Sequence, residues 1–143
     1  MKTKTKTEAV KAKKSERGSV VLEAALMLPI IFVLLLGILE FGRVLMIQQA
    51  LTNAAREGAR QGAVYMDDTE ALTVAGDVAS DYLTRTGVNL SMVTVTPIFE
   101  DINGSEAVQV SINYDYTSGL AVWIPGMNNH LDLNSRVVMR REA

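Results

Sequence analysis

Arg17-Gly18-Ser19-Val20-Val21-Leu22-Glu23-Ala24-Ala25-Leu26-Met27-Leu28-Pro29 opens a nearly unbroken apolar run that continues as far as Leu39. From Ser19 to Leu39 there are 21 residues and a single charge, Glu23. A helix of that length rises about 30 Å, the thickness of the hydrocarbon core of a bilayer. A buried core helix is the competing reading. A chain of 143 residues, however, has too little protein to cover Leu28-Pro29-Ile30-Ile31-Phe32-Val33-Leu34-Leu35-Leu36 on all sides. The run reads as a membrane helix.

Charge orients it. All six lysines lie in the first 14 residues, joined by Arg17 and opposed only by Glu8 and Glu16. Beyond Glu40 there are seven arginines, twelve Asp or Glu residues and no lysine. A basic segment directly before an apolar helix is a membrane-orientation signal more than a nucleic-acid site, and it places residues 1–18 in the cytoplasm and 41–143 across the membrane. A secretory signal peptide shares the basic start but ends in a small-residue cleavage site after the apolar run. Here Glu40-Phe41-Gly42-Arg43-Val44-Leu45 follows, and the helical pattern goes on.

The chain has no cysteine, and His130 is its only histidine. Disulfide and thiolate chemistry are therefore unavailable, and zinc sites or a histidine-based dyad have poor raw material. We expect no catalytic residue, no metal and no cofactor.

Within the membrane run, Pro29 removes a backbone donor and frees the carbonyl of Ala25, which predicts a local kink or loosening. Beyond it, residues 41–64 keep helical spacing through Val44, Leu45, Leu51, Ala54, Ala55, Gly58, Ala59, Gly62 and Ala63, with Gln48 a break. Ala54-Ala55, Gly58-Ala59 and Gly62-Ala63 repeat small residues every four positions. Two helical glycines cost up to about 1 kcal/mol each relative to alanine, a loss that close approach of another backbone offsets. That backbone belongs either to a neighbouring subunit or to the molecule's own strands.

Asp67 and Glu70 stand at capping-box spacing and predict a second helix reaching about Arg85, with Leu72, Ala75, Val78, Ala79, Tyr82 and Leu83 on one face and Gly87 as its stop. Strands follow. Val93 and Val95 alternate with Thr94 and Thr96, and Pro97 marks an edge or a strand end. Val108, Val110, Ile112, Tyr114 and Tyr116 alternate with polar residues, as in a half-buried antiparallel strand. Between them Asn103-Gly104 signals a hairpin. Asp101, Asn103 and Ser105 faintly suggest a calcium loop whose flanks lack the rest of the motif. Residues 117–129, carrying Leu120, Val122, Trp123 and Ile124, form an apolar loop that caps the sheet, the reading we prefer, or else rests against the membrane or presents a partner surface. Leu131, Leu133, Val137 and Met139 suggest a last strand, interrupted in register around Asn134 and Ser135.

The glycine at the foot of the apolar helix, with Glu23 just inside it, resembles a prepilin-type signal. Three stretches carry a wider resemblance to the TadE-like family, the pseudopilins of tight-adherence pili. They are Gly18-Ser-Val-Val-Leu-Glu23-Ala-Ala-Leu-Met-Leu-Pro29 with Gly37-Ile-Leu-Glu40-Phe-Gly42-Arg43, then Ala54-Ala55-Arg56-Glu57-Gly58-Ala59-Arg60, and the closing Val137-Val138-Met139-Arg140-Arg141-Glu142. The resemblance implies cleavage by a prepilin peptidase between Gly18 and Ser19 and a role as a minor component that builds or primes an adhesive pilus. Two positions depart from the pilin pattern. Ala24 stands where an aromatic residue often follows the glutamate, and Ser19 differs from the residue usually methylated, so methylation is left open.

Glu23 lies about one helical turn inside the membrane, where a carboxylate costs less than its mid-bilayer penalty of about 2.5–3.5 kcal/mol. It either snorkels toward Arg17 or, after cleavage, pairs with the new α-amine of Ser19 on a neighbouring subunit. We favour the second.

The expected protein is α+β: a long N-terminal helix, a short second helix and a small antiparallel sheet of three or four strands. Residues 1–18 are a basic leader, 19–40 the membrane helix, 41–64 its continuation and 65–143 a small extracytoplasmic domain. Glu23 and Pro29 in the membrane helix, with Gly58 and Gly62 beyond it, are the candidate assembly residues. The expected partners are the prepilin peptidase, other pseudopilins and the major pilin, the inner-membrane assembly platform and membrane lipid, with no nucleic acid. A type II secretion pseudopilin and an unprocessed single-pass anchor presenting a binding domain are the alternatives.

Overall fold

The computed structural model describes residues 4–120, 126 and 128–141, with side chains from residue 18 onward. The element order is α1 (Lys4–Gly62), α2 (Asp68–Arg85), a 3-10 turn (Leu90–Met92), β1 (Val93–Ile102), β2 (Ser105–Thr117) and β3 (His130–Arg140). This is the expected α+β protein, with three strands. The chain divides into two compact units, Met1–Leu39 and Glu40–Ala143.

Among the described residues the first unit holds only the part of α1 that ends at Leu39. Its apolar side chains are open to the surroundings: Leu22 is 67% exposed, Phe32 62% and Leu39 69%. Helical assignment continues through Pro29 without a break. A run of this length and hydropathy is a candidate membrane span.

The second unit, hereafter the head, begins at Glu40, so the stretch 41–64 belongs to it and supplies part of its core. Ile47, Leu51, Ala54, Ala55 and Ala59 of α1 are buried with Ala75, Ala79 and Leu83 of α2 and Val108, Val110, Ile112, Tyr114 and Tyr116 of β2. Leu45, one of the apolar positions in that helical spacing, is 53% exposed, whereas Ile47 is buried.

Local chemistry sets the ends of α2. Asp67 is its N-cap and accepts a hydrogen bond from the Glu70 amide at 2.9 Å, satisfying one of the free donors of the first turn. At the other end Gly87 has φ 77°, its amide donates to the Thr84 carbonyl, and the Val88 amide donates to the Leu83 carbonyl. These two bonds define a Schellman stop, in which glycine takes the left-handed position without a Cβ penalty. The buried face comprises Ala71, Ala75, Ala79 and Leu83. Leu72, Val78 and Tyr82 are only half-buried.

The sheet order is β1-β2-β3, antiparallel throughout. Asn103 and Gly104 both have positive φ (55° and 78°), the pattern of a type I′ hairpin turn whose twist matches that of the strands. The Asp101 carboxylate accepts from the Gly104 amide at 2.8 Å, so it serves this turn. Pro97 lies inside β1, opposite Val110, on an edge strand where a missing donor is tolerated.

β3 corrects one expectation. It pairs with β2 without interruption from His130 to Arg140. Ser135 occupies an inward position in the period-two series Leu133, Ser135, Val137, Met139, and it is buried at 8% exposure. Its hydroxyl lies 3.3 Å from that of Thr52 on α1, and the Gln48 amide of α1 donates to the Asn134 carbonyl at 2.7 Å. The break was chemical, not geometric: a hydroxyl replaces an apolar group where the helix supplies a polar neighbour.

The loop expectation for Val122, Trp123 and Ile124 lies outside the described residues, as does the Arg17 side chain.

Candidate functional site

Gly18, Ser19, Glu23 and Pro29 are all exposed on α1 within the first unit. A Cβ placed on Gly18 would meet nothing within 4 Å. Glu23 has no hydrogen bond or ion pair among the described residues, so in an apolar environment its carboxylate would lack compensation from them.

Gly58 and Gly62 sit in the head and face α2. A Cβ on Gly58 would lie 2.5 Å from the Ala75 carbonyl oxygen and 3.0 Å from Ala79 Cβ, one turn further along α2. On Gly62 it would lie 2.8 Å from the Ala71 carbonyl oxygen, 2.9 Å from Ala75 Cβ and 3.2 Å from Val108 Cγ1. The small-residue ladder therefore seats this chain's own second helix, with β2 at one end, rather than the strands alone. Alanines on α2 match glycines on α1, and the two backbones approach at a distance no larger side chain would allow.

Several residues that organise the head carry no local sequence signature. The Arg141 guanidinium, 12% exposed, donates to the Tyr65 and Met66 carbonyls at 2.7 Å each. It also pairs with Asp68 and Glu106 and lies over the Phe99 ring, 5.2 Å from its centroid. One side chain thus ties the α1–α2 connection to the sheet. At the other end of the head, Glu40 accepts a hydrogen bond from the Gly119 amide at 3.1 Å, and Arg43 lies 6.0 Å from the centroid of Tyr116. Tyr116 is 2% exposed; burial, then the neighbouring Glu40 carboxylate, push its phenol above the ordinary value. The Arg141–Asp68 pair spans 73 residues and the Glu40–Gly119 bond spans 79, both beyond the reach of any periodicity.

His130 contacts Asp115 at 2.9 Å, and both side chains are more than half exposed. No three His, Asp or Glu residues come together as a metal cluster among the described residues. The arrangement offers two surfaces for association, an exposed apolar helix and a folded head.

Residues 18–60 match the family model described as TadE-like protein. No curated protein and no solved structure matches the chain.

Proposed function

We propose that this protein is a minor pilin, or pseudopilin, that takes part in assembling or initiating a Tad-type adhesive pilus. The observation that carries the reading is the family match over residues 18–60, which begins at the glycine of the prepilin-type signal and runs through the membrane helix into the core of the head. Exposure of every large apolar side chain from Val20 to Leu35 supports a lipid or helix-bundle environment for this stretch.

In this reading a prepilin peptidase cuts between Gly18 and Ser19 and releases the lysine-rich leader in the cytoplasm. The mature chain then stands in the bacterial inner membrane with its head on the far side. Glu23 of one subunit pairs with the Ser19 α-amine of its neighbour, which would set the axial register of packed helices. Pro29 gives local freedom within the bundle. Gly58 and Gly62 act indirectly, by keeping α2 against α1 so that the head holds its shape. Other pseudopilins, the major pilin and the assembly platform are the protein partners, and no catalysis is assigned.

The deciding measurement is the N-terminal residue and intact mass of the membrane-extracted protein, expressed with and without its prepilin peptidase. The expected result is a chain starting at Ser19 only when the peptidase is present. A start at Met1 in both cases would replace this reading with an unprocessed membrane anchor that presents the head.

A further inference from the structure

Two triplets in the chain have the form Asn-x-Ser with x other than proline: Asn89-Leu90-Ser91 and Asn103-Gly104-Ser105. This is the acceptor pattern for N-glycosylation, in which the side-chain amide of the asparagine takes a sugar. So short a triplet arises often by chance, and its surroundings decide whether it is usable. The structure separates the two. Asn89 caps the 3-10 turn, and its Oδ1 accepts from the Ser91 amide at 3.1 Å and from the Ser91 hydroxyl at 2.9 Å. The amide oxygen and the hydroxyl of that triplet are both engaged in closing the turn.

Asn103 differs on each count. It stands at the tip of the β1–β2 hairpin, and its side chain has no hydrogen bond among the described residues. Asp101 closes the turn instead, its carboxylate accepting from the Gly104 amide at 2.8 Å. Asn103 and Gly104 are both exposed, and a Cβ on Gly104 would meet nothing within 4 Å. The Ser105 hydroxyl accepts from the Arg140 guanidinium at 2.9 Å, which leaves its own proton free to donate. Arg140 follows Ser105 by 35 residues, so a chain crossing the membrane in order presents the triplet before β3 exists to engage that hydroxyl. The tip also lies far from the start of the head. β2 runs 13 residues from Ser105 to Thr117, roughly 40 Å, and Gly119 beyond it bonds Glu40. A bulky hydrophilic group on Asn103 stands clear of the core.

We propose that Asn103 is an N-glycosylation site that takes an oligosaccharide from a polyprenyl-diphosphate-linked donor. In the transfer the Asn103 Nδ2 bonds to the anomeric carbon of the sugar. The bond from that carbon to the diphosphate oxygen breaks, the polyprenyl diphosphate leaves with the electron pair, and one amide proton passes to a base of the transferase. The inference rests on one part of the proposed function, the placement of residues 41–143 across the membrane, because this acceptor pattern is read on exported chains. It does not depend on cleavage after Gly18. A glycan at the tip makes it bulky and solvated, so neighbours in an assembly approach the head elsewhere.

The test is peptide mapping by mass spectrometry of the full chain, extracted from the membranes of the cells that naturally make it. The expected result is a sugar on Asn103 and none on Asn89. Asn103→Asp tolerates the left-handed turn position but lacks the amide nitrogen, and it should lose the whole added mass. Ser105→Ala should lose it too, whereas Ser105→Thr should keep it. Arg140→Ala removes the contact to Ser105 without touching the triplet, and the sugar should stay in place. A bare Asn103 in the extracted chain would overturn the proposal. So would a sugar on Asn89 in its stead, a sugar that survives Ser105→Ala, or Asn103 recovered without sugar as aspartate or isoaspartate, the product of spontaneous ammonia loss at Asn-Gly. The N-terminal residue of the same sample is read separately. A glycosylated chain that starts at Met1 defeats the pilin reading alone, and a chain that starts at Ser19 with a bare Asn103 defeats the glycan alone.

Discussion

Two stretches of α1 obey opposite rules of burial. Between residues 19 and 39 the helix carries leucine, isoleucine and phenylalanine, and these side chains are mostly more than half exposed. Between residues 47 and 62 it carries alanine and glycine at most of its contact positions, and Ala54, Ala55 and Ala59 are completely buried. The largest hydrophobic groups are thus mostly outside and the smallest inside. In water this would be upside down, because burying a leucine is worth about 1.5–3 kcal/mol and burying an alanine far less. The inversion makes sense if the first stretch has lipid or neighbouring helices for its solvent. The second stretch then gains its stability from close backbone approach more than from area per residue. On that reading the same helix is built for two media.

The contrast can be broken first at Leu51, the one large α1 side chain in the head that is fully buried among the described residues. Leu51→Ala should cost the head about 2–5 kcal/mol, read by denaturant unfolding of the detergent-extracted chain. Leu34→Ala should leave that unfolding unchanged. A similar loss at both positions would mean the two stretches share one packing environment.

Next in size, Leu34→Arg should oppose membrane insertion by about 2.5–3.5 kcal/mol, measured as the inserted fraction in a microsomal glycosylation assay. Unaltered insertion would show that the apolar run does not decide membrane entry. A third test compares glycines. Gly58→Ala puts a Cβ 2.5 Å from the Ala75 carbonyl oxygen and should destabilise the head by about 1–3 kcal/mol, despite alanine's better helix propensity. Gly42→Ala meets nothing within 4 Å and should be neutral or stabilising by up to about 1 kcal/mol. Equal behaviour of the two would remove the case for close helix approach. The smallest effect is expected at Ser135. Replacing it by valine loses one long hydroxyl contact to Thr52 and adds apolar burial, so the unfolding free energy should move by less than about 1 kcal/mol.

Ser135 also shows where the sequence was misleading. Its hydroxyl hides a regular period-two strand, because a polar group interrupts the apolar series and the compensating Thr52 lies 83 residues away. Short-range signals served well. The apolar run, the Asp67 cap, the Gly87 stop and the Asn103-Gly104 turn each depend on residues close together in the chain, and each appears in the structure. The ladder of small residues was legible as a close contact, but its partner was not. Alanine and glycine say that something approaches and carry no feature that says what, so only the fold assigns the role to α2. Arg141 was invisible for a related reason. Its carbonyl partners at Tyr65 and Met66 lie 76 and 75 residues earlier.

The distant pairing of α1 with β3 has a consequence for how the protein reaches its place. Gln48 contacts Asn134 across 86 residues, so α1 leaves the ribosome long before the strand that covers it exists. In the pilin reading proposed above, the helix enters the membrane first, and its later half crosses with its future core face uncovered. A leucine-rich face at that moment would prolong the apolar run and hold the segment in the bilayer. Alanine and glycine avoid that outcome, because they lose little by meeting water and gain little by staying in lipid. In that reading the residues that let α2 dock so closely also mark the place where the membrane lets go of the chain.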